Sequence, residues 1–234
     1  MELEVETIGG ETEVVECDAA LFDADETLFT GFERGPVEEA RSLALSSLGF
    51  VVPPFERLRG LAGEHARIVI GKFQSPEGRR RLETGWEEVV TRFQAALSMP
   101  TQLTPLSDAS GLLERAQAMA LPTAIATNST LPSWEAKASR MPIEVLSALS
   151  TVVTMTCVGG KPKPHPAMLL EGARRLGAKS PVLFGDAKVD ARAAANAQIP
   201  AIIRRAGRTE EELQWILAHG ARIVDDFSRV RIVG

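Results

Sequence analysis

Tyrosine is missing from this chain, and cysteine, histidine and tryptophan are scarce, with two, three and three residues among 234. Aromatic side chains make up 5% of the sequence, and Trp86, Trp134 and Trp215 fall at helical spacings. They read as packing residues rather than platforms for stacked bases. His65, His165 and His219 show no metal-ligand spacing, which excludes the commonest histidine-based zinc patterns. Cys17 and Cys157 each fall in a predicted strand and are expected as buried, reduced thiols rather than a disulfide. Positive charge is in deficit: 26 Lys and Arg against 31 Asp and Glu leave a formal net charge of −5. That balance argues against a general nucleic-acid or membrane-surface binder. No run of about 18 apolar residues occurs. Nor does a basic stretch followed by an apolar one open the chain, so the expected location is the cytoplasm, with no membrane partner.

What is present is an ordinary globular composition, 44% hydrophobic and 24% charged, long enough for one sizeable core plus a smaller inserted unit. The apolar run Ala19–Phe22 reads as a buried strand and ends in Asp23 and Asp25, spaced i, i+2 and followed by Thr27. In an extended chain both carboxylates leave the same side. Two like charges held together there are costly to desolvate and need a counter-charge. A divalent cation with hard oxygen ligands, Mg²⁺, suits them. One carboxylate can then attack an electrophile while the other manages protons.

The rest of the chain frames that stretch. Residues 1–18 alternate around Gly9-Gly10 and predict a hairpin with a two-residue turn. Helical spacing runs over 36–48, 55–73 and 76–97, so residues 34–101 form a candidate all-helical insertion, with Thr30-Gly31 and Pro100-Thr101 as hinges. Beyond it the period switches. Helices are predicted over 108–119, 134–149 (broken at Pro142), 165–176, 190–197 and 210–219. Strands are predicted over 123–126, 152–158, 182–184, 201–203 and 222–224. This alternation predicts an α/β fold, a doubly wound, mostly parallel Rossmann-like sheet formed by residues 1–33 and 102–234.

In such a sheet ligands bind beyond the carboxyl ends of the strands. Asp23 and Asp25 follow the first buried strand, and Thr127-Asn128-Ser129 follow the second. Lys161 follows the 152–158 run, within Gly159-Gly160-Lys161-Pro162-Lys163-Pro164. Asp186 and Asp190 follow Val182–Phe184. A carboxylate pair, a hydroxyl with neighbouring N–H groups, an ammonium and a second acidic pair therefore converge on one edge.

In that order, Asp-x-Asp-x-Thr, Thr-Asn-Ser, Gly-Lys-Pro-x-Pro and Gly-Asp-x-x-x-Asp resemble the haloacid dehalogenase-like hydrolases. The helical insertion resembles that superfamily's helical-cap subclass. The resemblance implies Asp23 as nucleophile, forming an aspartyl-phosphate, and Asp25 as general acid and then base. Thr127 and Asn128 would hold the phosphoryl group. Lys161 would offset charge, with Lys163 as a second cation nearby. Asp23, the backbone carbonyl of Asp25, and Asp186 would hold Mg²⁺, and Asp190 would be a secondary acidic residue. Asp25 favours phosphoryl transfer, because dehalogenating relatives lack an acid/base aspartate there. Glu26 departs from the commoner glycine, and a solvent-facing side chain is expected. The loop Leu58–His65 is the candidate cap loop reaching the core, with Arg59 on the substrate, while Arg79-Arg80-Arg81 read as an exposed helical face. Gly-Lys-Pro-Lys-Pro-His-Pro resembles phosphatases of small sugar or polyol phosphates, including phosphoglycolate phosphatase-like proteins. The expected activity is thus Mg²⁺-dependent hydrolysis of a small phosphomonoester by a monomer or homodimer. The alternatives are a 5′-nucleotidase with the same chemistry and a binding protein that keeps the fold without turnover.

Overall fold

The computed structural model describes residues 1–30, 34–54, 66–96 and 103–234. The alternating N-terminal segment forms β1 (Glu2–Glu6) and β2 (Thr12–Glu16), paired antiparallel with Glu6 opposite Thr12. The hairpin is therefore as expected, but its loop spans residues 7–11 instead of two residues. The Thr7 N–H donates to the Glu11 carbonyl at 2.9 Å, and Gly10 takes the left-handed conformation with φ +80°. Leu3, Val5 and Val15 are buried.

After β3 (Ala19–Phe22) and a short β4 (Phe29–Thr30) come α1 (Arg34–Ser47), α2 (Ala66–Gly71), α3 (Pro76–Thr84) and α4 (Trp86–Ala96). The predicted helix over 76–97 is thus two helices. They are divided at Gly85, whose N–H caps α3 by donating to the Arg81 carbonyl. Ser75 caps the other end of α3 by accepting the Gly78 N–H, as a short hydroxyl side chain does at a helix start. These helices share a core of Leu45, Phe50, Ile70, Leu82 and Val89. Arg79, Arg80 and Arg81 are exposed, as expected, but two of them also tie helices together. Arg79 donates to the Gly71 carbonyl and Arg81 to that of Leu48. The chain returns through β5 (Thr104–Pro105), antiparallel to β4, so the helical insertion leaves and rejoins the core at one place. Of the expected hinge residues, Thr30 ends β4, whereas Gly31, Pro100 and Thr101 lie outside the described residues, as does the loop Leu58–His65 with Arg59.

The remaining elements are α5 (Ser107–Ala118), β6 (Thr123–Thr127), α6 (Leu131–Ala138), α7 (Ile143–Ser147), β7 (Thr151–Thr154), α8 (Ala167–Leu176), β8 (Pro181–Gly185), α9 (Lys188–Ala197), β9 (Ala201–Arg204), α10 (Glu210–Ala218), β10 (Arg222–Val224) and β11 (Val230–Val233). Six strands form a parallel sheet in the order β10-β9-β8-β3-β6-β7. Alternate residues of each strand feed two different cores, one per face. Phe22, Ile125, Phe184 and Ile202 join the side covered by α5, α6 and α7. Leu21, Ala124, Ala126, Leu183 and Ile203 join the side covered by α8, α9 and α10. Phe22 and Phe184, opposite each other on β3 and β8, stack with ring centroids 4.9 Å apart.

Two further findings correct the sequence reading. The strand expected over 152–158 ends at Thr154, and Met155–Val158 turn as a 3₁₀ helix, so Cys157 is exposed instead of lying in a buried strand. Cys17 is buried and unpaired, as expected. β11 escaped the sequence reading because its pairing partner, β1, lies at the other end of the chain.

Candidate active site

Four chain segments meet beyond the carboxyl ends of β3, β6, β7 and β8, around the central strand β3. The backbone past β3 is folded back tightly. The Leu28 N–H donates to the Ala24 carbonyl and the Glu26 N–H to the Phe29 carbonyl, both at 2.9 Å. Glu26 sits at the apex with φ +59°. That left-handed conformation favours glycine, the residue that the resemblance leads one to expect here. The Glu26 side chain is exposed, as expected, and its Oε1 accepts the Thr30 hydroxyl at 3.0 Å. Asp23 is buried at the strand end.

The cation against Asp23 is Lys163, not Lys161. The Lys163 side chain is fully buried, with Nζ 2.6 Å from Asp23 Oδ1 and 2.5 Å from Asp190 Oδ1. Lys161 is exposed. It follows two consecutive left-handed glycines, Gly159 (φ +64°) and Gly160 (φ +74°), and so stays on the outside of the turn. Lys163 is held two residues later by Asn128, whose Oδ1 accepts the Lys163 N–H at 2.7 Å and whose Nδ2 donates to its carbonyl at 3.4 Å. Asn128, expected as a phosphate ligand, turns its amide toward the Lys163 backbone. Two lysines separated by one proline look alike in a sequence; which one turns inward depends on this contact from another strand.

Asp190 is wholly buried and more central than its expected secondary place. Besides Lys163, it accepts the Ala187 N–H on Oδ2 at 3.0 Å, at the start of α9. Gly185 is required beside it, because a Cβ there would stand 2.7 Å from the Asp190 Cβ. Asp186 is buried, accepts the Thr27 hydroxyl on Oδ1 at 3.3 Å, and is bonded through Oδ2 to Arg208. Thr127 is buried at the end of β6. Its hydroxyl oxygen accepts the Ser129 N–H at 3.2 Å, so its hydrogen remains to donate. Asp25 lies apart from the buried group, with a side chain 45% exposed. Both of its oxygens accept from Lys137 Nζ on α6, at 2.7 and 2.5 Å, and the same ammonium donates to Ser129 Oγ at 2.9 Å. Lys137 and Arg208 carried no sequence signal, since Lys137 reads as an ordinary polar residue within the 134–149 helix pattern and Arg208 as one just before the 210–219 pattern. His165 accepts the Ala167 N–H at the start of α8.

Asp23, Asp186 and Asp190 each place a carboxylate oxygen within 4.8 Å of the others. Burial raises the Asp23 carboxyl to about 8, with Asp190, Asp186 and Asp25 adding to the shift and Lys163 opposing it. Burial likewise raises Asp186 to about 6, Asp190 adding and Arg208 opposing. Burial works against the Lys163 ammonium, but Asp190 and Asp23 outweigh it and hold the group charged. The buried carboxylates thus remain short of positive charge even beside a lysine and an arginine. Hard oxygen donors with unmet negative charge fit a divalent cation such as Mg²⁺.

The family model described as "haloacid dehalogenase-like hydrolase" matches residues 17–198. Among curated proteins, none matches the sequence. Solved structures share the fold at low identity. A hydrolase from Pseudomonas syringae superposes with a TM-score of 0.69 at 22% identity, covering 90% of this chain and 94% of that one. CbbY from Rhodobacter sphaeroides, in complex with xylulose-(1,5)bisphosphate, gives 0.68 at 21%, covering 91% and 96%. A HAD family hydrolase from Deinococcus radiodurans with bound phosphate and sodium gives 0.59 at 21%, covering 90% and 92%. No helix among the described residues is long and apolar enough to cross a membrane.

Two stability measurements check this geometry. Lys163→Met strands buried carboxylates without their ammonium and is expected to cost about 3–5 kcal/mol in urea unfolding, whereas Lys161→Met stays within about 0.5 kcal/mol. Equal effects would contradict the placement. Asp23 and Asp186 have folded values above the ordinary range near 3.9, so between pH about 4 and about 8 the folded state keeps protons that the unfolded state has lost. Metal-free protein should therefore lose stability as pH rises through that window, and Asp23→Asn should flatten the decline above pH about 6. A stability that climbs from pH 5 to 8 would refute it.

Proposed function

The chain belongs to the haloacid dehalogenase-like hydrolases, and from that premise we propose that it is a Mg²⁺-dependent phosphatase of a small phosphomonoester, of the sugar or polyol phosphate type. The observation that supports this reading most is the buried set of Asp23, Lys163 and Asp190 beside Asp186. A site that only bound a ligand would have no need of a nucleophile-grade carboxylate kept under a lysine. In this reading residues 1–33 and 102–234 form the catalytic core and residues 34–101 the cap.

Asp23 attacks the phosphorus as its leaving alkoxide departs, and a proton from Asp25 completes the alcohol. Water then attacks the aspartyl-phosphate with Asp25 as base, returning Asp23 and releasing inorganic phosphate. A dianionic ester approaching a carboxylate meets repulsion, and Lys163 lies against Asp23 to offset it. Thr127 has its hydroxyl hydrogen left to donate to a phosphoryl oxygen. Mg²⁺, held by Asp23, Asp186 and the carbonyl of Asp25, would supply further charge neutralisation when bound. Lys137 sets where the Asp25 carboxylate rests, since it bonds both oxygens. CbbY binds a sugar bisphosphate, and a substrate of that chemical kind suits the reading. A nucleotidase would need an aromatic clamp in the helical insertion. Trp86, one of the residues that could form it, is partly buried against the insertion's own core.

Phosphate release from a panel of polyol, sugar and aryl phosphates, with and without Mg²⁺, tests the proposal. Asp23→Asn should abolish release. Asp25→Asn should lower hydrolysis of alkyl phosphates by about 10²–10⁴-fold, and aryl phosphates less, because a phenolate leaves without a proton. Equal losses on both ester types would remove Asp25 from the acid role, and an active Asp23→Asn would remove the nucleophile.

A further inference from the structure

Asp186 has a partner that the reaction outlined above does not use. The Arg208 guanidinium grips it at two points: Nε donates to the Asp186 carbonyl at 2.9 Å, and Nη2 is bonded to Asp186 Oδ2. Neither side chain is much exposed, 12% for Arg208 and 3% for Asp186. The chain is shaped to deliver this contact. Beyond β9, the Arg208 N–H closes a turn onto the Arg205 carbonyl at 2.9 Å, and Ala206 and Gly207 both have positive φ, +41° and +69°. Two successive left-handed residues mark a primed turn, a conformation that costs alanine energy. Both ends of the turn are fixed. The Arg205 N–H donates to the Val224 carbonyl at 2.8 Å, and Thr209 starts α10 with a reciprocal cap to Glu212.

The charges divide cleanly. Lys163 serves Asp23 and Asp190, and Arg208 serves Asp186. Arg208 is always charged and cannot give up its proton to make room. Asp186 Oδ1 accepts from Thr27 and Oδ2 is bonded to the guanidinium, so a divalent cation on Asp186 either shares Oδ1 with that hydroxyl or contends with Arg208 on Oδ2, and in both positions it stands close to a fixed positive charge.

Resting on the Mg²⁺-dependent reading of this site, we propose that Arg208 is a built-in competitor for the cation: its guanidinium on Asp186 lowers the affinity for a divalent ion. The cost of two positive centres on one buried carboxylate follows from their repulsion at low dielectric. The same contact gives the buried Asp186 carboxylate a positive partner from the protein itself.

The test is Mn²⁺ binding, followed by electron paramagnetic resonance, and Mg²⁺-dependent thermal unfolding, on wild type and Arg208→Gln. The variant should bind Mn²⁺ about tenfold more tightly, the size expected for removing one nearby like charge. It should melt lower than wild type without metal, and gain more from saturating Mg²⁺. If Arg208→Gln is unfolded without metal, Mn²⁺ should restore its fold. Equal or weaker Mn²⁺ binding in a folded variant, or a variant that saturating Mn²⁺ fails to refold, would overturn the inference while leaving the phosphatase reading standing. Binding by neither protein would overturn the metal site itself, and this inference with it.

Discussion

The buried ammonium of Lys163 is the contact on which the rest of the site depends. It is out of reach of solvent and lies against two carboxylates from different segments, Asp23 after β3 and Asp190 in the first turn of α9. An isolated ion at that depth would be prohibitively costly, and the three-way contact makes it tolerable. Much of the local architecture follows from it. Asn128 fixes the lysine's backbone, Gly185 makes room for Asp190, and the Ala187 N–H takes the remaining Asp190 oxygen. The segments after β3, β6, β7 and β8 are thereby joined through one cluster of charges.

A second layer of charge surrounds that cluster and comes from elements outside the four motifs. Lys137, on α6, holds Asp25, and Arg208, before α10, holds Asp186. Arg204, at the end of β9, reaches the Glu26 carbonyl and Asp108. The left-handed turn at Glu26 and the loop bearing Asp186 are therefore both held from the β9 side. Asp23, Asp25, Asp186 and Asp190 each have a cationic partner, yet Asp23 and Asp186 are still pushed up by burial. Net charge is thus poised for a further positive centre rather than already balanced.

The parallel sheet, its strand-end motifs and the helical insertion were legible in the sequence, because each is written in local terms. Ala19–Phe22 and Val182–Phe184 are short apolar runs that end in aspartates, and helix spacing with glycine stops marks the intervening segments. What was not legible depends on contacts distant in the chain. The choice of Lys163 over Lys161 is made by Asn128, 35 residues away. Lys137 reaches Asp25 across 112 residues, and β11 pairs with the first strand of the chain. The division of residues 76–97 at Gly85 and the early end of β7 at Thr154 were missed for a smaller reason. Helical spacing resumes past Gly85 and hides its stop signal, and the apolar pattern runs on past Thr154 with no breaker before Gly159.

The central claim is that Asp23 carries the phosphoryl group covalently. The most direct measurement is to quench turnover with acid in the steady state, reduce the protein with borohydride, and map the modified residue by peptide mass spectrometry. The account predicts that the Asp23 side chain is reduced to a homoserine in wild type, only when substrate is present, and that Asp23→Asn shows no such modification. Active enzyme that accumulates inorganic phosphate with Asp23 unmodified, or with the modification on Asp25 or Asp186, would contradict it.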